Sequence, residues 1–186
     1  MLPCFLLCAC AGDAPATGEA IRAHFSEMAA AQAEVKILSD IGDSALEYQA
    51  DFAYNRDGED TLTLTAPEEV AGIEVYISGG RSDELSVRYA GTELFLTLDS
   101  PSGARPVDAP SALLRALAEG EPVEIGSDTL DGVNARFLRY DEPDSDPAVS
   151  RSVWLDEAGN PLCAEVYLDG EKRVTLFFSD FTVTTP

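Results

Sequence analysis

Nucleophiles and bases are scarce in this 186-residue chain, and their placement limits its chemistry. Cys4, Cys8 and Cys10 fall at the N-terminus and Cys163 stands alone. That spacing is neither a disulfide framework nor a zinc pattern. His24 is the one histidine. A catalytic histidine needs a nucleophile and an orienting acid within reach, and the sequence offers no Gly-x-Ser-x-Gly and no cysteine near a helix start. His24 therefore reads as a surface or packing residue. Cys163, inside an apolar run, reads as a small buried hydrophobe. Asp141, Glu142, Asp144 and Asp146 have the oxygen chemistry of a calcium site, but their spacing is not that of an EF-hand and no glycine sits at the required turn. They read as a solvated acidic loop. No Walker loop, dinucleotide fingerprint or basic-aromatic patch occurs, so the sequence implies no cofactor, no metal and no enzyme.

Cys10 is set apart by its neighbours. Leu6-Leu7-Cys8-Ala9-Cys10 ends an apolar stretch, and Ala11 to Gly18 is small and polar. Leu7-Cys8-Ala9-Cys10 resembles a bacterial lipobox. The resemblance implies a diacylglyceryl group on the Cys10 sulfur and cleavage just before it. Residues 1–9 then form the remainder of a signal peptide, shorter than the usual ~15–30 residues and without a basic start. Residues 10–18 are the lipidated cysteine and its tether, and 19–186 one folded domain. Each methylene buried in a bilayer contributes about 0.8 kcal/mol, so a two-chain anchor holds stably.

Positioning everything else falls to a chain with 45% apolar residues and a formal net charge of −22. Such a surface repels nucleic-acid phosphates and anionic headgroups, and suits solubility or a basic partner. No later segment approaches the ~20 continuous apolar residues of a membrane helix. Ile21, Phe25, Met28 and Gln32 recur at helical spacing and predict a helix from Gly18 to about Glu34. The period then changes to two. Leu46, Tyr48, Ala50, Phe52 and Tyr54 alternate with Glu47, Gln49 and Asp51, as in a strand with one wet face. Further strands are predicted at Thr61–Thr65, Gly72–Ile77, Leu85–Tyr89, Glu93–Leu98, Val133–Tyr140, Arg151–Leu155, Leu162–Leu168 and Arg173–Phe178. Asp57-Gly58, Ala90-Gly91, Gly159-Asn160 and Asp169-Gly170 supply hairpin turns. Crossover helices are missing between most strands, which points to an antiparallel sheet. One short helix, Ser111–Glu119, is inserted after a Pro/Ser/Gly loop, with Asp108 and Pro110 as start signals and Gly120 as stop.

Three segments carry a family resemblance. They are Ala66-Pro-Glu-Glu-Val-Ala-Gly-Ile73, Tyr89-Ala-Gly-Thr-Glu-Leu94, and Asn160-Pro-Leu162 together with Thr175-Leu-Phe-Phe-Ser-Asp-Phe181. With the helix and strand order, they make the chain from about Gly18 to Thr185 resemble the LolA-like superfamily of lipoprotein-localisation and lipid-carrier proteins. The fold class so implied is α+β, mostly β: a strongly curved antiparallel sheet forming a half-barrel, covered by an N-terminal helix and an inserted short helix. The resemblance also implies an apolar hollow able to receive acyl chains. Leu46, Tyr48, Phe52, Leu62, Leu64, Val75, Leu96 and Trp154 are the expected lining. Free carriers of the superfamily shuttle because they are soluble, which an anchored chain cannot do. The lipobox and acidic composition look more like Gram-positive surface lipoproteins, a group that includes spore-germination lipoproteins.

Two functions follow as expectations. In the first, a membrane-anchored extracytoplasmic lipoprotein binds a lipid or acyl chain without catalysis. In the second, the half-barrel is a protein-interaction module regulating a cell-envelope or spore-cortex enzyme. Either places the chain at the cell membrane, held by Cys10, with no nucleic-acid partner.

Overall fold

Alternation along the strands shapes the molecule. The structure, a computed structural model, describes residues 17–41, 44–78, 84–97 and 103–185. The lipobox and Cys10 lie outside them. In chain order the elements are helix α1 (Gly18–Glu27), strands β1 (Ala30–Ile41), β2 (Ser44–Asn55), β3 (Glu59–Ala66), β4 (Glu74–Ser78), β5 (Glu84–Tyr89) and β6 (Thr92–Thr97), helix α2 (Ala109–Glu119), then β7 (Glu124–Leu130), β8 (Val133–Glu142), β9 (Val149–Leu155), β10 (Pro161–Leu168) and β11 (Glu171–Thr184).

All eleven strands join one antiparallel sheet in the order β6-β5-β4-β3-β2-β1-β11-β10-β9-β8-β7. Two meanders thus meet where the first strand pairs with the last. Among the described residues the sheet does not close, and β6 and β7 are its edges. Three hairpins turn through a residue pair with both φ positive: Ala90-Gly91 (49° and 80°), Asp131-Gly132 (49° and 83°) and Asp169-Gly170 (50° and 80°). This is the turn whose twist matches paired strands, and Asp131-Gly132 went unread in the sequence.

The expected first helix is corrected by the structure. It ends at Glu27, Met28 is extended, and Ala30 onward is strand. Ala31, Ala33, Val35 and Ile37 are buried while Gln32, Glu34 and Lys36 are exposed. That is a period of two, which the helical spacing of Met28 and Gln32 concealed because alanine suits either element. The strand so missed, β1, is the centre of the sheet, pairing β2 on one side and β11 on the other. Strand β7 was also unpredicted; its residues are mostly exposed and carry little apolar alternation.

One face of the sheet turns inward. Ile37, Phe52, Leu62, Val75, Leu138, Val153, Val166 and Leu176 pack in a single core with Ile21 and Phe25 of α1 and Leu113, Leu114 and Leu117 of α2. Helix α2 is apolar on most sides because it lies inside the hollow, with Ala109, Leu113, Leu114 and Leu117 fully buried. Both helices belong to one end of the hollow. Arg56, in the β2–β3 turn, donates to the Ser26 carbonyl at 3.0 Å. Asp60, at the start of β3, accepts from Arg115 of α2 at 2.8 Å and from the Asn55 amide at 2.8 Å. Asp60 is fully buried, and the Arg115 guanidinium also lies 5.4 Å from the Tyr54 ring centre.

Candidate apolar binding site

Away from the helices, the described residues that line the hollow come from strands and loops. There, each of five successive strands contributes one inward apolar residue to a cavity: Ile37, Tyr48, Leu64, Val75 and Val87. The sheet register brings them together, with Ile37 opposite Tyr48 and Val75 opposite Val87. Two loops wall the remaining side, through Val70 and Ile73 and through Pro106 and Val107. The cavity is partly open and its volume is about 240 Å³.

Backbone bonding fixes the first wall. The Gly72 amide donates to the Leu64 carbonyl at 2.8 Å, and the Leu64 amide donates to the Ile73 carbonyl at 2.9 Å. Gly72 adopts φ +82°, open to glycine without steric cost, and this folds the loop back over β3. Asp108 fixes the second wall. Its carboxylate accepts the Gly103 amide at 3.0 Å and the Arg105 amide at 3.1 Å, so it caps the loop rather than the helix it precedes. Burial pushes the Asp108 carboxyl above its usual value, while these two hydrogen bonds pull it down.

The cavity continues onto open apolar surface. Val87 pairs with Leu94, and Leu85 with Leu96, so Leu94 and Leu96 extend the inward face to the free edge. They are 57% and 44% exposed. Leu46, two residues before Tyr48 on the same face of β2, is exposed as well. At about 240 Å³ the cavity is smaller than the ~300–1,000 Å³ of sites that surround drug-sized ligands.

The eight expected lining residues separate accordingly. Tyr48, Leu64 and Val75 line the cavity. Leu46 and Leu96 flank it on the trough. Phe52 and Leu62 point inward but are sealed in the helix-covered core. Trp154 must be corrected: it sits on the outer face. It pairs with Cys163 and Phe137, packs against the Phe137 ring at 5.4 Å and donates to Asp128 at 2.8 Å. Its neighbours Val153 and Leu155 are the inward residues. Ile37 escaped sequence reading because it fell between the helix expected to end near Glu34 and the first strand read at Leu46, where β1 was not recognised. Val70, Ile73, Pro106 and Val107 escaped it because loop residues carry no period.

The other candidates offer less chemistry. Cys163 is buried, and desolvation with the nearby Glu165 pushes its thiol up to about 12, so it stays protonated. His24 meets the Phe25 ring edge-on at 5.1 Å. Asp141 and Glu142 are engaged by Arg139 and Arg151, and among the described residues no group of carboxylates, cysteines and histidines is arranged to hold a metal. A larger cleft of about 540 Å³ lies beside the β7–β8 hairpin. Its walls mix Asp128, Asp156, Glu157 and Arg136 with hydroxyl and amide groups, without a common ligand.

No family model and no curated protein matches the sequence. Solved structures do. A DUF1329 family protein from Desulfovibrio piger aligns over 92% of this chain and 94% of its own, with a TM-score of 0.53 at 12% identity. An uncharacterized conserved protein from Thermus thermophilus aligns over 89% and 85%, with 0.50 at 12% identity. A LolA superfamily protein from Nitrosomonas europaea aligns over 91% and 94%, with 0.44 at 13% identity. At such identities the likeness is one of fold. The shared fold is an unclosed antiparallel sheet with helices packed in its hollow.

Proposed function

We propose that this LolA-like chain binds an acyl chain or lipid in the loop-walled hollow, without catalysis, as an extracytoplasmic lipoprotein held to the cell membrane by a lipid on Cys10. The observation that carries the reading is the cavity itself. Among the described residues nine line it, and the Tyr48 hydroxyl is the one polar side-chain group of those nine. Apolar surface left against water favours any ligand that removes it, by about 25 cal/mol per Å² before the cost of association. The carrier reading of the fold agrees with this chemistry.

Native mass spectrometry of protein purified from a lipid-rich host tests the binding. A bound fatty acid or phospholipid is expected, and Val87→Glu, which places a carboxylate in the wall, removes it. An unliganded wild-type protein overturns the reading. The anchor is tested separately by Cys10→Ala, which releases the protein from membranes if Cys10 is lipidated and leaves it bound if it is not.

A second reading, the protein-interaction module acting on an envelope or spore-cortex enzyme, is favoured by the free edge β6. Leu94, Phe95 and Leu96 are all exposed there, Phe95 at 78%. Apolar residues on both faces of an unpaired strand suit an added partner strand. Recovery of one enzyme with lipid-free protein supports this reading over the first.

A further inference from the structure

The two edges of the sheet are guarded unequally. Strand β7 carries Glu124 and Asp128 with Gly126 between them, and charges and glycine both discourage an added strand. Strand β6, Thr-Glu-Leu-Phe-Leu-Thr, has no proline, glycine or lysine and pairs with β5 without a bulge. Its one charge is already matched, because the Glu93 carboxylate accepts from Arg88 Nε at 2.8 Å. Among the described residues no strand pairs with its outer side, and Leu94, Phe95 and Leu96 are all exposed there.

Backbone bonding decides what can pair with this edge. The β5–β6 hairpin turns through Ala90 and Gly91, with Tyr89 opposite Thr92. A two-residue turn makes that flanking pair hydrogen-bonded, and bonded pairs then alternate along the ladder. Thr92, Leu94 and Leu96 therefore bond to β5, and the amides and carbonyls of Glu93, Phe95 and Thr97 point to the open side. A second copy entering antiparallel, about a two-fold axis through Phe95, meets all of them. Phe95 then pairs with Phe95 of the second copy, and Glu93 with its Thr97. The two-fold keeps each face of the sheet in common, so Leu94 meets Leu96 of the second copy on the inward face while the two Phe95 rings meet on the outer face. Cross-strand apolar pairs of this kind are stabilising, and no like charges stand opposite each other.

We infer that β6 pairs with β6 of a second copy, giving a two-fold dimer in which the two sheets run on as one. Local charge favours this occupant over a basic segment, because the strand offers no unmatched carboxylate. The dimer uses the unguarded edge of each copy and leaves β7 outermost, so assembly closes at two instead of growing into a fibre. The inference does not depend on the acyl-binding reading.

Sedimentation equilibrium of the full chain tests it from about 1 μM to about 500 μM, which brackets the micromolar constants of small transient interfaces. Wild type is expected to pass from monomer to dimer. Raising NaCl from about 0.05 M to about 0.5 M tightens the dimer by screening the repulsion between two chains of net charge −22. Phe95→Glu sets two carboxylates face to face on the axis and weakens dimerisation about tenfold or more. Phe95→Thr, which keeps a good strand former, weakens it less, and Ser127→Glu on β7 leaves it unchanged. Thermal melts within a few degrees of wild type show that the variants are folded, and Phe95→Thr carries the comparison if Phe95→Glu is not. Wild type that stays monomeric at both salt concentrations overturns the inference and gives the edge back to a foreign strand. Dimerisation untouched by the Phe95 variants, lost in Ser127→Glu, or continuing past two copies overturns it as well.

Discussion

The same inward face of β2 and β3 behaves differently at its two ends. At one end lie Phe52, Tyr54, Asp60 and Leu62, each no more than 3% exposed and covered by α1 and α2. At the other lie Leu46, Tyr48 and Leu64, where two loops cover the sheet and a cavity remains. Asp60 apart, the residue types barely differ, since both ends carry aliphatic and aromatic side chains. What differs is the cover. A helix presents a stripe of side chains that interdigitates with the sheet and fills its hollow. A loop presents isolated apolar contacts such as Val70 and Val107, and space is left between them. Emptiness here is a property of what lies opposite the strand.

The largest expected effect tests the helix-covered end. Asp60→Ala leaves the mostly buried Arg115 without its partner and the Asn55 amide without its acceptor. Removing one side of a buried pair typically costs about 3–5 kcal/mol, and urea unfolding measures it. A loss below about 1 kcal/mol means that the helix is held mainly by its leucines.

Packing gives the next contrast. Leu117→Ala in the filled end is expected to cost about 2–5 kcal/mol, the range for emptying a packed core. Val87→Ala, at the cavity wall, is expected to cost under about 1 kcal/mol, because its side chain is only partly covered already. Equal losses in parallel chemical melts remove the distinction between the two ends.

A smaller effect concerns the loop wall and pH. Burial raises the Asp108 carboxyl in the folded chain, so the folded state holds that proton more tightly than the unfolded state does. Stability from this group is therefore greatest in acid and falls as pH rises through the window just above the ordinary value of about 3.9. The advantage of wild type over Asp108→Asn should shrink between pH 4 and pH 6 in paired urea melts. A constant or growing advantage contradicts the burial of that carboxyl.

The smallest effect belongs to the outer face. Trp154→Phe forfeits the hydrogen bond to the exposed Asp128, at a cost of about 1 kcal/mol or less, and leaves acyl binding unchanged. A large loss of ligand affinity would return Trp154 to the hollow.

The architecture was largely legible because period-two alternation and Asp-Gly or Ala-Gly turns are local signals. Leu46 to Tyr54 reads as β2 without any knowledge of its neighbours. Strand β1 was lost where alanines at 29, 30, 31 and 33 blurred the change of period. The site was legible only in part. Tyr48, Leu64 and Val75 were found because the cavity uses the inward face of predicted strands. Phe52 and Leu62 share that face, and sequence alone does not show which residues the helices cover. Trp154 was misplaced because aromatic character was weighed above register: in Val-Trp-Leu at 153–155, the inward residues are those on either side.

Mapping a photoactivatable diazirine fatty acid onto the full chain tests the central claim most directly. After irradiation and peptide sequencing, adducts are expected on peptides carrying Tyr48, Val70, Val75, Val87 and Val107, and these should fall away in Val87→Glu. Adducts confined to the outer face around Phe137 and Trp154, or insensitive to that substitution, contradict a ligand in the loop-walled hollow.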